Sequence, residues 1–318
     1  MRKSSKILVT GGAGFIGSHL VAKLAEQGNY VRVLDNLSTG KLSNIDALLK
    51  DGLVDFVKGD IRDLSAVKAA VSGVDVVFHL AAQISVPLSI LNPKLNHEVN
   101  AVGTSNLLNA SKCDGVGRFV FVSSCAVYGE PVYLPIDEAH PTNPISPYAE
   151  SKLISEQECL RRSREHEIES VIVRFFNVYG PKQGLNDYSG VIVKFIEKIN
   201  QELPLKIFGD GQQTRDFVFV QDIADALLLA SQNDDVNGQI FNIGTGKATT
   251  IKSLAETLLQ LTNSKVKLQF VPERSGDIKH SYANISKASE LLGYKPEFSL
   301  TEGLKALLDE NALLISKK

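Results

Sequence analysis

An apolar run, Lys6-Ile7-Leu8-Val9-Thr10, passes directly into Gly11-Gly12-Ala13-Gly14-Phe15-Ile16-Gly17. Few arrangements restrict a fold as tightly. The run suits a buried parallel strand, and the glycines supply a tight turn, close backbone approach to a pyrophosphate and close packing of a following helix. Glycines 12, 14 and 17 satisfy one dinucleotide-binding spacing, and 11, 14 and 17 satisfy another. From Phe15 to Gln27 apolar residues recur at helical spacing and stop at Gly28, so the helix start would point its positive end at the phosphates. Tyr30 to Leu34 reads as a second strand and ends in Asp35, eighteen residues past Gly17. A carboxylate there accepts hydrogen bonds from a ribose diol and repels a 2′-phosphate, so the expected cofactor is NAD rather than NADP.

The pattern repeats downstream. Segments 54–58, 74–79, 118–123 and 170–175 are short runs rich in Val, Ile or Phe, with helical stretches around 63–72, 97–113 and 147–166 between them. Such alternation predicts an α/β fold, a doubly wound parallel sheet with helices on both faces and ligands at the carboxyl ends of its strands. Asp60, Ile61, Leu80, Ala81, Ala82, Ser123 and Ser124 follow strands and would line that crevice. The chain has 318 residues, 43% of them hydrophobic, enough for one large or two closely joined domains. A net charge of −2 without a long basic run provides no footprint for nucleic acid or a membrane surface. The basic opening is followed by too few apolar residues for a signal-peptide core. Cys113, Cys125 and Cys159 lack metal-type spacing and fit a reducing cytoplasm, and the six histidines form no short ligand motif, so no metal is expected.

Tyr148 and Lys152 lie four residues apart, on one helix face. A nearby ammonium favours the phenolate of a tyrosine whose pKa is otherwise about 10. Lys152, together with a cationic cofactor, is therefore expected to lower the Tyr148 pKa and make it a base at neutral pH.

The ordered motifs resemble a known family. They are Thr10 to Gly17, Asp35-Asn36, Gly59 to Asp63, His79 to Ala82, Val122 to Gly129, Ser146 to Lys152 and Arg174 to Pro181. They continue through Gly209-Asp210-Gly211, Thr214 to Phe217, Val220 to Ile223, Asn242-Ile243-Gly244 and Arg274 to Asp277. Together they are similar to the extended short-chain dehydrogenase/reductases that act on nucleotide sugars, and most of all to UDP-hexose 4-epimerases handling N-acetylated sugars. The resemblance implies that Tyr148 takes the proton from the sugar 4-hydroxyl, that Ser124 bonds the same oxygen and that Lys152 binds the nicotinamide ribose. It further assigns Gly11, Gly14, Phe15, Ile16, Gly17, Asp35, Asn36, Ser38, Gly40, Asp60, Ile61, Leu80, Ala81, Ala82, Tyr148, Lys152 and Phe175 to the NAD site. Ser85, Ser124, Asn177, Arg215, Arg274, Asp277 and Ser281 fall to a UDP-sugar substrate, with Ser281 at the position that walls the sugar 2-substituent. A Rossmann domain over 1–176, with 213–244 packing back on it, and a smaller α/β lobe over 177–318 are implied as well. So is a homodimer formed through the helices near 97–113 and 147–166.

Sister enzymes remain in competition. Dehydratases place an Asp-Glu pair just after the catalytic hydroxyl and decarboxylases a Glu, where this chain has Cys125 and Ala126. A non-catalytic dinucleotide sensor is a third reading, against which the intact Ser124, Tyr148 and Lys152 argue.

Overall fold

A computed structural model describes residues 5–184, 190–273 and 276–315. Its centre is a seven-stranded parallel sheet. Six strands are β1 (Lys6–Thr10), β2 (Tyr30–Asp35), β3 (Val54–Lys58), β4 (Val76–His79), β5 (Arg118–Ser124) and β6 (Ser170–Phe175), and the seventh is Ile240–Ile243. The spatial order is Ile240–Ile243, β6, β5, β4, β1, β2, β3. Winding therefore reverses between β1 and β4, the kind of switch point at which a doubly wound sheet opens a crevice. Strand β5 has six buried residues in succession, as expected of a strand covered on both faces. One apolar layer joins Ile7, Val9, Leu20 and Val33 to Leu227 of the helix Val220–Gln232. On the opposite face Leu8, Leu34 and Phe121 pack with Leu107 and Leu108.

Two expectations are corrected. The run from Val74 enters the sheet only at Val76. The helix expected to begin at 97 is preceded by helical Pro93–His97 and opens with a π-helical turn, Glu98–Val102, before the α-helix Gly103–Asp114. Phe217–Phe219 is a strand but pairs with Asn177–Tyr179 outside the main sheet. A second apolar core, including Tyr179, Phe195, Leu205, Phe219, Leu254 and Leu304, lies under the remaining helices. Beside it Leu205–Phe208 pairs in parallel with Leu268–Val271.

Candidate active site

A long cleft follows the carboxyl ends of the central strands. Its wall takes Gly11 and Gly14 from the loop after β1, Phe15, Ile16 and Gly17 from the first turn of the helix that follows, and Asp35, Asn36 and Ser38 from the end of β2 and beyond it. Asp60 and Ile61 follow β3; Leu80, Ala81 and Ala82 follow β4; Ser124 ends β5 and Phe175 ends β6. Tyr148 and Lys152 of the helix Pro147–Arg164 complete it. Gly40 stands behind the wall: a Cβ there would come within 2.9 Å of Asp35 Oδ2, so its absence makes room for the carboxylate.

The geometry chooses between the two glycine patterns. Gly11 has φ +71°, and a Cβ on it would meet the Ala81 nitrogen at 2.8 Å. A Cβ on Gly17 would lie 2.2 Å from the Gly11 carbonyl oxygen, where nothing fits. Gly12 instead faces the Val33 side chain, so 11, 14 and 17 form the cradle and 12 packs on the sheet. The helix Phe15–Glu26 starts at this cradle with no side-chain cap among the described residues, leaving its first N–H groups for an anion. Asp35 accepts hydrogen bonds from the Ala13 N–H at 3.0 Å and the Leu37 N–H at 2.8 Å. Burial nevertheless holds its pKa above the ordinary carboxylate value. Asp60 is pulled the other way by a two-pronged bond from Arg62 and by Asn36. An uncapped helix start flanked by a fixed carboxylate and an apolar slot fits an adenine dinucleotide.

At the other end, Ser146 caps the helix by accepting from the Ala149 N–H at 3.2 Å, and Pro147 presets its first turn, which contains Tyr148. Ser124 Oγ accepts from the Ala126 N–H at 3.2 Å and is near enough to Tyr148 to favour its phenolate. Lys152 is buried; its Nζ donates to the Val122 carbonyl at 2.9 Å and sits 5.0 Å from the Phe121 ring centre. The expected lowering of the Tyr148 pKa is absent from the protein alone. Although part of the residue is exposed, desolvation of the phenol pushes its pKa up to about 12, and the nearby Ser124 hydroxyl only partly offsets this. Helical spacing put Lys152 on the right face, but its ammonium is engaged by the Val122 carbonyl of β5.

The residues expected to meet the sugar nucleotide are more dispersed. Arg215 donates to the Thr214 carbonyl at 2.8 Å, lies 3.7 Å from Asp277 and is close enough to Cys125 to offset part of the rise that burial imposes on its thiol pKa. Asn177 stands beside Asp216, and its buried Oδ1 has no partner among the described residues. Ser281 is buried with Ala283 on one side of an extended segment, its N–H bonded to the Thr214 carbonyl at 3.1 Å, while Tyr282 between them is more exposed. Ser85 is outside the cleft wall and caps the helix Val86–Leu91 through a 3.1 Å bond from the Leu88 N–H. Arg274 lies outside the described residues. A smaller hollow lined by Phe208, Gly209, Gln213, Glu273 and Asp277 was not anticipated; the aromatic residue directly before Gly209-Asp210-Gly211 was its available signal. Asp216 stands in the sequence only as part of the motif Thr214 to Phe217, yet in the fold it collects N–H bonds from Thr245, Gly246 and Ala283.

Comparison with known proteins agrees with this geometry. Residues 7–244 match the profile described as "NAD dependent epimerase/dehydratase family". A Methanocaldococcus jannaschii protein provisionally named UDP-glucose 4-epimerase is 44% identical over 95% of this chain and 97% of its own length. UDP-glucuronic acid decarboxylase 1 of Arabidopsis thaliana is 35% identical over 97% of this chain and 70% of its own. The solved UDP-N-acetylglucosamine 4-epimerase of Methanobrevibacter ruminantium, in complex with UDP-N-acetylmuramic acid, superposes with a TM-score of 0.93 at 36% identity, covering 99% of this chain and all of the other.

Proposed function

The chain belongs to the NAD-dependent epimerase/dehydratase family, and from that premise we propose that it is a UDP-hexose 4-epimerase interconverting UDP-GlcNAc and UDP-GalNAc, and also accepting UDP-glucose and UDP-galactose. The cofactor is NAD, for which the glycine cradle and Asp35 would provide the phosphate and ribose contacts. When bound, NAD supplies a reversible hydride acceptor for the sugar C4. Tyr148 then takes the proton from the 4-hydroxyl, Ser124 holds the same oxygen, and Lys152 contributes positive charge beside the nicotinamide ribose. Arg215 and Arg274 would grip the diphosphate, with Asn177 and Asp277 nearby. Phe175 and Leu80 add apolar surface to the wall of the cleft. The 4-ketone turns about its pyrophosphate link, and Tyr148 returns the proton to the oxygen of the inverted alcohol.

The observation carrying this reading is that Ser124, Tyr148 and buried Lys152 line one cleft, beside a turn without an acid. Cys125 and Ala126 fill the positions from which a dehydratase or decarboxylase would work. Nearby Asp216 is occupied by three backbone N–H groups and the Thr245 hydroxyl, so it is a poor substitute. Incubation with each UDP-sugar, followed by chromatography of products and release of bound nicotinamide, tests the proposal: epimers should form without loss of carbon dioxide or water. Ser281→Tyr should abolish turnover of the acetylated pair selectively, because a phenol ring would occupy the acetamido volume. Wild-type turnover confined to the plain hexoses would refute the acetamido assignment, and carbon dioxide release from UDP-glucuronate would refute the epimerase.

A further inference from the structure

Tyr148, Lys152 and Glu156 succeed one another at intervals of four along a single helix face. The reaction outlined above uses only the first two. Glu156 is 1% exposed and clamped from two strands: Arg174 of β6 donates Nε to Oε1 at 2.9 Å and Nη2 to Oε2 at 2.6 Å, and the Ser123 hydroxyl of β5 donates to Oε1. Arg174 in turn lies over the Tyr128 ring at 4.7 Å. A buried ion pair of this kind is frequently no more stable than apolar residues of equal volume, so stability alone does not explain its place directly behind Ser124 and Lys152.

We propose that Glu156, fixed by Arg174 and Ser123, is a positioning residue that holds buried Lys152 in its ammonium form, so that one helix face carries base, cation and counter-charge. The inference rests on the epimerase reading for its purpose, but not for its test. Burial holds Lys152 down at about 8 even with Glu156, the largest influence opposing that fall, in place. The surroundings contain no competing anion among the described residues. From β4 comes His79, whose burial holds it neutral. β5 presents the Phe121 ring, the Val122 carbonyl and Ser123; β6 presents Arg174; the turn Cys125–Tyr128 presents two groups, the Cys125 thiol and the Tyr128 phenol, that burial keeps protonated. On the helix itself Tyr148 and Cys159 are likewise raised by burial and uncharged near neutrality.

Glu156→Gln removes the charge while keeping the volume. In NAD-loaded enzyme labelled with 13C at the lysine ε-carbons, the Lys152 resonance, assigned by its absence from Lys152→Arg, should titrate at least one pH unit lower in this variant. The alkaline limb of kcat should move in the same direction with KM changed less than twofold, and Glu156→Asp should restore both. The double variant Glu156→Gln/Arg174→Gln, which leaves no buried guanidinium unpaired, should also titrate below the wild type. An unchanged Lys152 midpoint in whichever variant folds, or failure of both to fold, overturns the proposal and makes the pair a structural one. An enzyme that turns over no UDP-hexose but shows the lowered midpoint would refute the epimerase reading and leave this inference standing.

Discussion

Desolvation pushes the pKa of the half-buried Tyr148 phenol up to about 12, so at neutral pH it is protonated in the protein alone. A cation placed against it favours the phenolate, and every unit of lowering is about 1.4 kcal/mol. NAD should therefore shift the Tyr148 phenolate absorbance near 295 nm to lower pH by more than one unit, and that band should be missing from Tyr148→Phe. By reciprocity NAD should bind more tightly as pH rises between the two midpoints; a midpoint unmoved by NAD would separate cofactor from base. Tyr148→Phe should retain NAD while its turnover drops by roughly a hundredfold or more, the loss expected of a general base. Asp35 is the repulsive group against a 2′-phosphate, so Asp35→Ala should narrow the preference for NAD over NADP in a binding titration. Wild-type protein copurifying with NADP would contradict that role.

Among elements, the tightest fit is the helix Phe15–Glu26 against the glycine turn. Because a methyl on residue 17 would overlap the Gly11 carbonyl at 2.2 Å, Gly17→Ala must push the helix off β1. Overpacking of this kind costs about 1–3 kcal/mol, so the urea midpoint and the NAD content should both fall; a variant of wild-type stability and occupancy would show that the turn can yield. This element was legible because its strand, turn, helix and acid are consecutive and their spacing is set by local backbone geometry. The turn at Glu98–Val102 was not. Its π form is held partly by tertiary bonds: the Asn100 side chain donates to the Gln83 carbonyl at 3.0 Å and to Ser151 Oγ at 3.1 Å, and the Asn100 backbone carbonyl accepts from the Ser155 hydroxyl at 2.9 Å. No helical periodicity encodes such partners.

At the scale of the molecule, the helix Val86–Leu91 presents Ile90 and Leu91 at 63% and 76% exposure, and Ile154 on the helix Pro147–Arg164 is also exposed. We propose that a second copy covers this region, through the helices near 97–113 and 147–166 together with this neighbouring segment. Light scattering should report a dimer, and Ile90→Glu with Leu91→Glu should shift it to monomer; a concentration-independent wild-type monomer would end the idea. Among the described residues no helix is long and apolar enough to cross a membrane. The sequence by itself determined the parallel sheet, the place of the glycine turn and the shared face of Tyr148 and Lys152, because each depends on residues close in the chain and on the fixed periods of strand and helix. Only tertiary structure decided that Glu156 meets Arg174 and Ser123, and that Asp216 gathers Thr245, Gly246 and Ala283. It also decided that burial raises the very phenol the spacing seemed to acidify. Those outcomes depend on which surfaces pack together and which charges lose their water, quantities that a spacing along the chain does not contain.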